Sequence, residues 1–143
     1  MNKKERTWVL VEDQTLASEL VEQYGNQYER HLVEIPRTAL VMMTTRETAK
    51  NSLFYSGEVL VSYAKVRIGS SYGTGMILGE QLKKAEYLAI IDALYPLLSD
   101  IEKVQWIKVF EQRRAALLHT INQEQEAINQ TKVSFDVMEV EED

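Results

Sequence analysis

The chain contains no cysteine. That excludes disulfides, thiolate zinc sites, iron–sulfur ligation and cysteine nucleophiles together, and it is consistent with a reducing compartment. Histidine is almost as scarce. Only His31 and His119 occur, and neither belongs to an HxxxH or HxH pair from which a catalytic zinc centre could start, so no metal is expected to be held by this chain alone. Long hydrophobic runs are missing from the N-terminus, MNKKERTWVLVEDQ. Its apolar stretch from Trp8 to Val11 falls far short of a signal-peptide core or a ~20-residue membrane span, and a cytoplasmic protein is expected. Positive charge is in deficit too, with 16 Lys and Arg against 22 Asp and Glu and a net charge of −6. General nucleic-acid binding rests on a basic surface that releases counterions; here an anionic ligand would need a local basic pocket or a basic partner.

What remains is 143 residues, enough to bury roughly two-thirds of the unfolded surface in one core. No internal repeat or low-complexity linker divides the chain, so residues 1–143 are expected to form one domain. Residues 4 to 24 read as helical in two pieces, with Asp13 placed to cap the second and Leu16, Leu20 and Tyr24 on one face. Two extended runs follow, separated by Pro36, which cannot donate to a ladder. In the first, His31, Val33 and Ile35 alternate with polar residues and predict a core-facing side. The second, TALVMM, is apolar on both sides and predicts a central strand. RETAKNS is a polar connection, Leu53 to Tyr55 can start a further short strand, and Glu58 to Ile68 has a period of two. Gly69-Ser-Ser-Tyr-Gly73 then predicts a longer hairpin loop before Gly75 to Leu78.

The rest is helical. Leu82 to Leu98 pairs a large apolar set with small residues at 85, 89 and 93, and Pro96 should end or kink it. Ser99-Asp100-Ile101-Glu102 is a capping box that starts a last, long helix, whose stripe is Ile101, Val104, Ile107, Phe110, Leu117, Leu118 and Ile121. NQEQEAINQTK is polar nearly all round, so this half of the helix should project. VSFDVMEV after it alternates like a strand-former and could pair with another chain. The expected fold is therefore α+β: an antiparallel sheet of about four strands, packed by an N-terminal helical region and two C-terminal helices, with 122–143 as a partner-binding helix end and tail.

GEVLVSYAKVRIGSSYGTGMILGE, residues 57 to 80, holds five of the six glycines. It is neither a Walker loop nor the dinucleotide fingerprint, because no Gly-Lys-Ser/Thr follows and the glycines do not open a helix in a βαβ unit. Positive φ in a hairpin and close backbone contact explain them more simply than a phosphate cradle does. Lys65 and Arg67 before the turn, and Lys83-Lys84 after it, keep an anion site open as a second reading; solvated charge on the hairpin is the alternative. Arg114 falls on the apolar stripe of the last helix, either as a stem at its edge or as an interface anchor. Asp92 has no histidine or second acid at i±3 or i±4 with which to share proton transfer, and a boundary aspartate bonded to a neighbouring strand accounts for it better. His119 lies on a polar face, and His31 is expected to be partly buried.

Residues 37 to 94 resemble the PhnG family, small subunits of the carbon–phosphorus lyase core complex. The resemblance is carried by Arg37-Thr38-Ala39-Leu40-Val41, Gly57-Glu58-Val59, Ala64-Lys65-Val66-Arg67, Tyr72-Gly73-Thr74-Gly75, Gly79, Ala85-Glu86, Ala89 and Asp92-Ala93-Leu94, with Val133, Phe135 and Met138 near the end. Where some relatives have Thr-Arg and His-Ala-Glu, this chain has Ser62-Tyr63 and Lys84-Ala85-Glu86, and Ser134 stands in place of an acid. The resemblance implies a heteromeric assembly with PhnH-, PhnI- and PhnJ-like subunits, which joins a phosphonate such as methylphosphonate to the ribose C1 of ATP and expels adenine. ATP would be a substrate of the complex, with no cofactor bound by this chain alone. No catalytic residue carries over. Arg67, Lys65, Arg37 and Glu58 are the candidate anion or partner contacts, and Arg114, Phe135, Val137 and Met138 the candidate subunit interface. A free-standing nucleotide- or phosphate-binding domain, or a purely structural subunit, is the alternative.

Overall fold

The computed structural model describes the backbone of residues 1–46 and 53–142, and the side chains of 1–42 and 57–130. The elements run α1 (Lys3–Glu12), α2 (Leu16–Tyr24), β1 (Arg30–Arg46), β2 (Leu53–Ile68), β3 (Ser71–Leu78), α3 (Leu82–Leu94) and α4 (Asp100–Glu142). The three strands form an antiparallel sheet in the order β1-β2-β3. Helix α3 lies on β2 and β3 and also meets α2, while α1 meets α4.

Close approach of α3 to the sheet follows from residue size. Ala85, Ala89 and Ala93 recur every four residues on one side of the helix, and all are fully buried. They sit over Gly73 and Gly75 of β3. A Cβ added at Gly75 would come within 2.7 Å of the Ala89 nitrogen and 2.9 Å of Leu88 Cβ, and one at Gly73 within 2.9 Å of Ala93 Cβ. Around this contact Ala64, Val66, Ile68 and Ile77 from the sheet join Leu88, Ile90 and Leu94 in the core. Ser62, also fully buried, ties strand to helix: its hydroxyl donates to the Gly79 carbonyl at 2.7 Å and accepts from the Gln81 N–H at 2.8 Å.

Polar side chains fix the outer helices. Asp13 accepts from the Thr15 and Leu16 N–H groups at 3.0 and 2.9 Å, as a cap for α2 requires. Arg113 of α4 closes on the same carboxylate at 3.1 Å and on Glu19 at 2.7 Å. Burial alone would raise the Asp13 carboxyl, but the two backbone donors and Arg113 outweigh it and hold it below its usual 3.8. The capping box is formed, with Glu102 accepting from Ser99 N–H at 3.2 Å and Glu102 N–H donating to the Ser99 hydroxyl at 3.2 Å. Trp106 and Phe110, one turn apart and both buried, seat α4 among Tyr24 and Tyr95.

Several sequence expectations change. The sheet has three strands rather than about four, because Pro36 lies inside β1: the register shifts between Leu32 and Glu34 and between Glu34 and Arg37 let the strand continue past it. β1 is an edge strand, so TALVMM is not central, and Leu40 and Met42 are exposed. His31, Val33 and Ile35 are exposed as well: His31 lies opposite Arg67 on the side away from α3, and Val33 and Ile35 are skipped at the two register shifts. Leu53 to Tyr55 belongs to β2, and the hairpin loop is tight, with Ile68 opposite Ser71 and Gly69 at φ +59°. On α4 the buried side runs through Trp106 and Phe110, while Ile101 and Val104 face outward. From Leu118 to Gln130 every residue is exposed, so this part of α4 projects. The backbone of VSFDVMEV continues the helix instead of becoming extended. The connection from Glu47 to Ser52 and the side chains of Phe135, Val137 and Met138 lie outside the described residues.

Two outcomes are expected. Gly75→Val should lower the melting temperature by about 5–15 °C through overpacking against the helix backbone, whereas Gly69→Asn, at a left-handed turn position, should change it by a few degrees at most; equal effects would contradict the close packing. Asp13→Asn keeps the Oδ1 acceptor for the two backbone donors but removes the charge facing Arg113, and should cost about 0.5–1 kcal/mol near neutral pH. Because the folded carboxyl titrates below its unfolded value, this stabilisation is present above about pH 4 and is lost as pH falls through the folded pKa, so wild type and variant should converge in acid.

Candidate functional site

β2 alternates strictly, and Ser62, Ala64, Val66 and Ile68 point toward α3. Tyr63, Lys65 and Arg67 therefore point the opposite way. Cross-strand pairing arranges that opposite face in rungs: His31, Arg67 and Tyr72; Glu34, Lys65 and Thr74; Arg37, Tyr63 and Met76; then Ala39, Val61 and Leu78. Successive rungs are about 7 Å apart along the strands. Tyr72, Met76 and Leu78 are exposed and Val61 is buried, and among the described residues α3 packs on the opposite side.

Three cations stand on this face: Arg37, Lys65 and Arg67. Among the described residues none of them forms an ion pair; the four ion pairs there involve Lys3, Arg113 and Arg114. Lys65 Nζ lies over the Tyr72 ring at 5.6 Å. Arg67 and His31 border an open cleft of about 520 Å³ with Gln27, Tyr28, Glu29 and the Gly69-Ser70 turn, a volume within the range of small-molecule sites. Glu34 is the carboxylate of the face. It accepts a hydrogen bond from the Tyr63 hydroxyl, which raises the Tyr63 pKa above its usual value; burial and the Glu34 charge add to this, and Arg37 opposes it. The other oxygen, Oε2, is shielded from solvent without a hydrogen-bond partner among the described residues.

The sheet thus brings Arg37, Lys65 and Arg67 to one side and separates them from Glu58. Glu58 pairs with Met42 and points to the other face, beyond the end of β3. Lys84 is removed from any anion site: its ammonium donates to the Val11 and Asp13 carbonyls at 3.0 and 2.8 Å, joining α3 to the α1–α2 turn. Burial lowers its pKa, against the attraction of Asp13 and Glu12. Gly73 and Gly75 cannot cradle a phosphate either, since the space above them is filled by α3. Arg114 reaches Glu5 of α1 at 3.5 Å. Asp92 is the boundary aspartate its neighbours suggested, accepting from Thr74 N–H at 3.0 Å and pairing with Lys3 at 3.0 Å. His119 is exposed beside Gln123.

The two-residue period of β2 already put Tyr63 with Lys65 and Arg67, but sequence reasoning missed the contributions of His31 and Glu34 to this face, because two register shifts in β1 decide which of its residues face Lys65 and Tyr63. No group of three His, Asp or Glu among the described residues could hold a metal ion, and no helix among them is long and apolar enough to cross a membrane.

The family model described as phosphonate metabolism protein PhnG matches residues 3–139. The chain belongs to the PhnG family. No curated protein matched it. The family places the protein in phosphonate metabolism, and the PhnG resemblance of residues 37–94 covers every rung of the open face except those contributed by His31 and Glu34.

The Tyr63–Glu34 contact has a spectroscopic consequence. In an ultraviolet titration, the tyrosinate signal removed by Tyr63→Phe should appear above pH 10, and Glu34→Gln should move it down toward the usual value. A Tyr63 titration unaltered by Glu34→Gln would show that the contact does not form.

Proposed function

We propose that this PhnG-family chain is an accessory subunit of a carbon–phosphorus lyase core complex, acting with PhnH-, PhnI- and PhnJ-like subunits in the cytoplasm. In that reading the complex joins a phosphonate oxygen to the ribose C1 of ATP. The C1–N9 glycosidic bond breaks and adenine leaves, giving a ribose 1-phosphonate 5-triphosphate. Both substrates are anions. The observation that carries the reading is the row of Arg37, Lys65 and Arg67, unpaired within the described residues on an uncovered sheet face. In an otherwise acidic chain, three such cations would raise the local concentration of a polyanion and hold its oxygens.

The face is open, so one wall of the site comes from another subunit. Arg67, at the cleft, supplies one charge to the anionic substrate, and Lys65 supports it from the next rung. Chemistry on C1 is left to groups outside this chain, which serves as a binding and assembly surface.

Adenine release from ATP and methylphosphonate tests this. The co-expressed complex should release adenine and the isolated chain should not. Arg67→Ala should lower kcat/KM for ATP or phosphonate at least about tenfold, as expected for a lost charge-assisted hydrogen bond, while the subunits still co-purify. Adenine release by the isolated chain would overturn the proposal.

A further inference from the structure

β3 pairs with β2 only between Val61 and Ile68, whereas the β1–β2 ladder runs on to Arg46 opposite Leu53. The two strands therefore leave the sheet as a two-stranded arm. Such a hairpin is marginal in water by itself. Where side chains are described, Leu40, Met42 and Leu60 make one face, with Glu58 opposite Met42 as its charged member, and Val41 and Val59 make the other. Leu40 is 65% exposed and Met42 63%. A strand apolar on both sides has the composition of a buried central strand, yet the outer edge of β1 has no strand beside it among the described residues.

We infer that the arm, with the outer edge of β1, is a docking element that inserts into an apolar groove on a protein of different sequence, carrying carboxylates where the groove meets Arg37. The inference rests on the subunit reading above and specifies the surface. Charge selects the occupant. Two copies packed by their open faces would oppose Arg37, Lys65 and Arg67 of each, with Glu34 on the face and Glu29 at its cleft too few among the described residues to offset them. Two copies joined edge to edge at β1 would lengthen the sheet and leave both apolar faces bare. An apolar groove grips both faces at once, and a carboxylate at its mouth completes Arg37.

The experiment compares the wild-type chain, the double variant Leu40→Asp with Met42→Asp, and Leu40→Met, each co-expressed with the PhnH-, PhnI- and PhnJ-like subunits. The double variant should recover at least about tenfold less partner protein. Its circular dichroism and melting temperature in isolation should match wild type, because both positions are exposed, and Leu40→Met should assemble normally. As a measure independent of mutation, amide exchange of residues 38–42 and 58–60 should slow at least about tenfold in the complex relative to the isolated chain. Undiminished assembly of the double variant, or no such protection, overturns the docking role while leaving the subunit reading intact. Wild-type chain that retrieves none of the three partners removes both. An isolated chain that dimerises, and loses its dimer on the double substitution, would make a second copy the occupant and overturn the choice of partner.

Discussion

Helix and sheet meet backbone on backbone where Gly73 and Gly75 of β3 lie beneath Ala85, Ala89 and Ala93 of α3. Helix and sheet can come this near only because neither side places a Cβ of any size between them. The contact sets the position of α3 across β2 and β3, and thereby sets what α3 does not cover. One sheet face is left open, and the β1–β2 arm runs on beyond β3. The two surfaces assigned to function are thus consequences of one packing decision.

The outer layer depends on the same placement. Lys84 leaves the first turn of α3 to hold the carbonyls between α1 and α2, and Asp92 leaves its last turn to bind Thr74 and Lys3. Arg113 joins α4 to Asp13 and Glu19. Side chains that could pass for reactive groups in a sequence are ties between layers. Arg37, Lys65 and Arg67 form no ion pair among the described residues and stand together on the uncovered face.

Legibility followed the range of the interactions. The α2 cap, the Ser99–Glu102 box and the interruption at Pro96 depend on neighbours within a few residues, and each formed as read. The two-residue alternation of β2 likewise separated Lys65 and Arg67 from Ala64 and Val66. β1 was less legible because its register shifts around Glu34 and Pro36 arise from pairing with β2. Glu34 and His31 consequently reached the open face unannounced, whereas the period of two in β2 had already turned Glu58 away from Arg67. On α4 the stripe was read through Ile101 and Val104, whereas Tyr24 and Tyr95 drew Trp106 into the core instead.

By itself the sequence determined the α+β class, the polar caps ahead of α2 and α4, the small residues on one side of α3 and the resemblance to PhnG, since caps, periodicity and residue size act locally. Only the tertiary structure decided that the doubly apolar strand lies at an edge, that Lys84 is internal while Lys65 is free, and that three cations share an uncovered face. Those outcomes depend on which strand neighbours which and how far α3 reaches, and no local spacing encodes either.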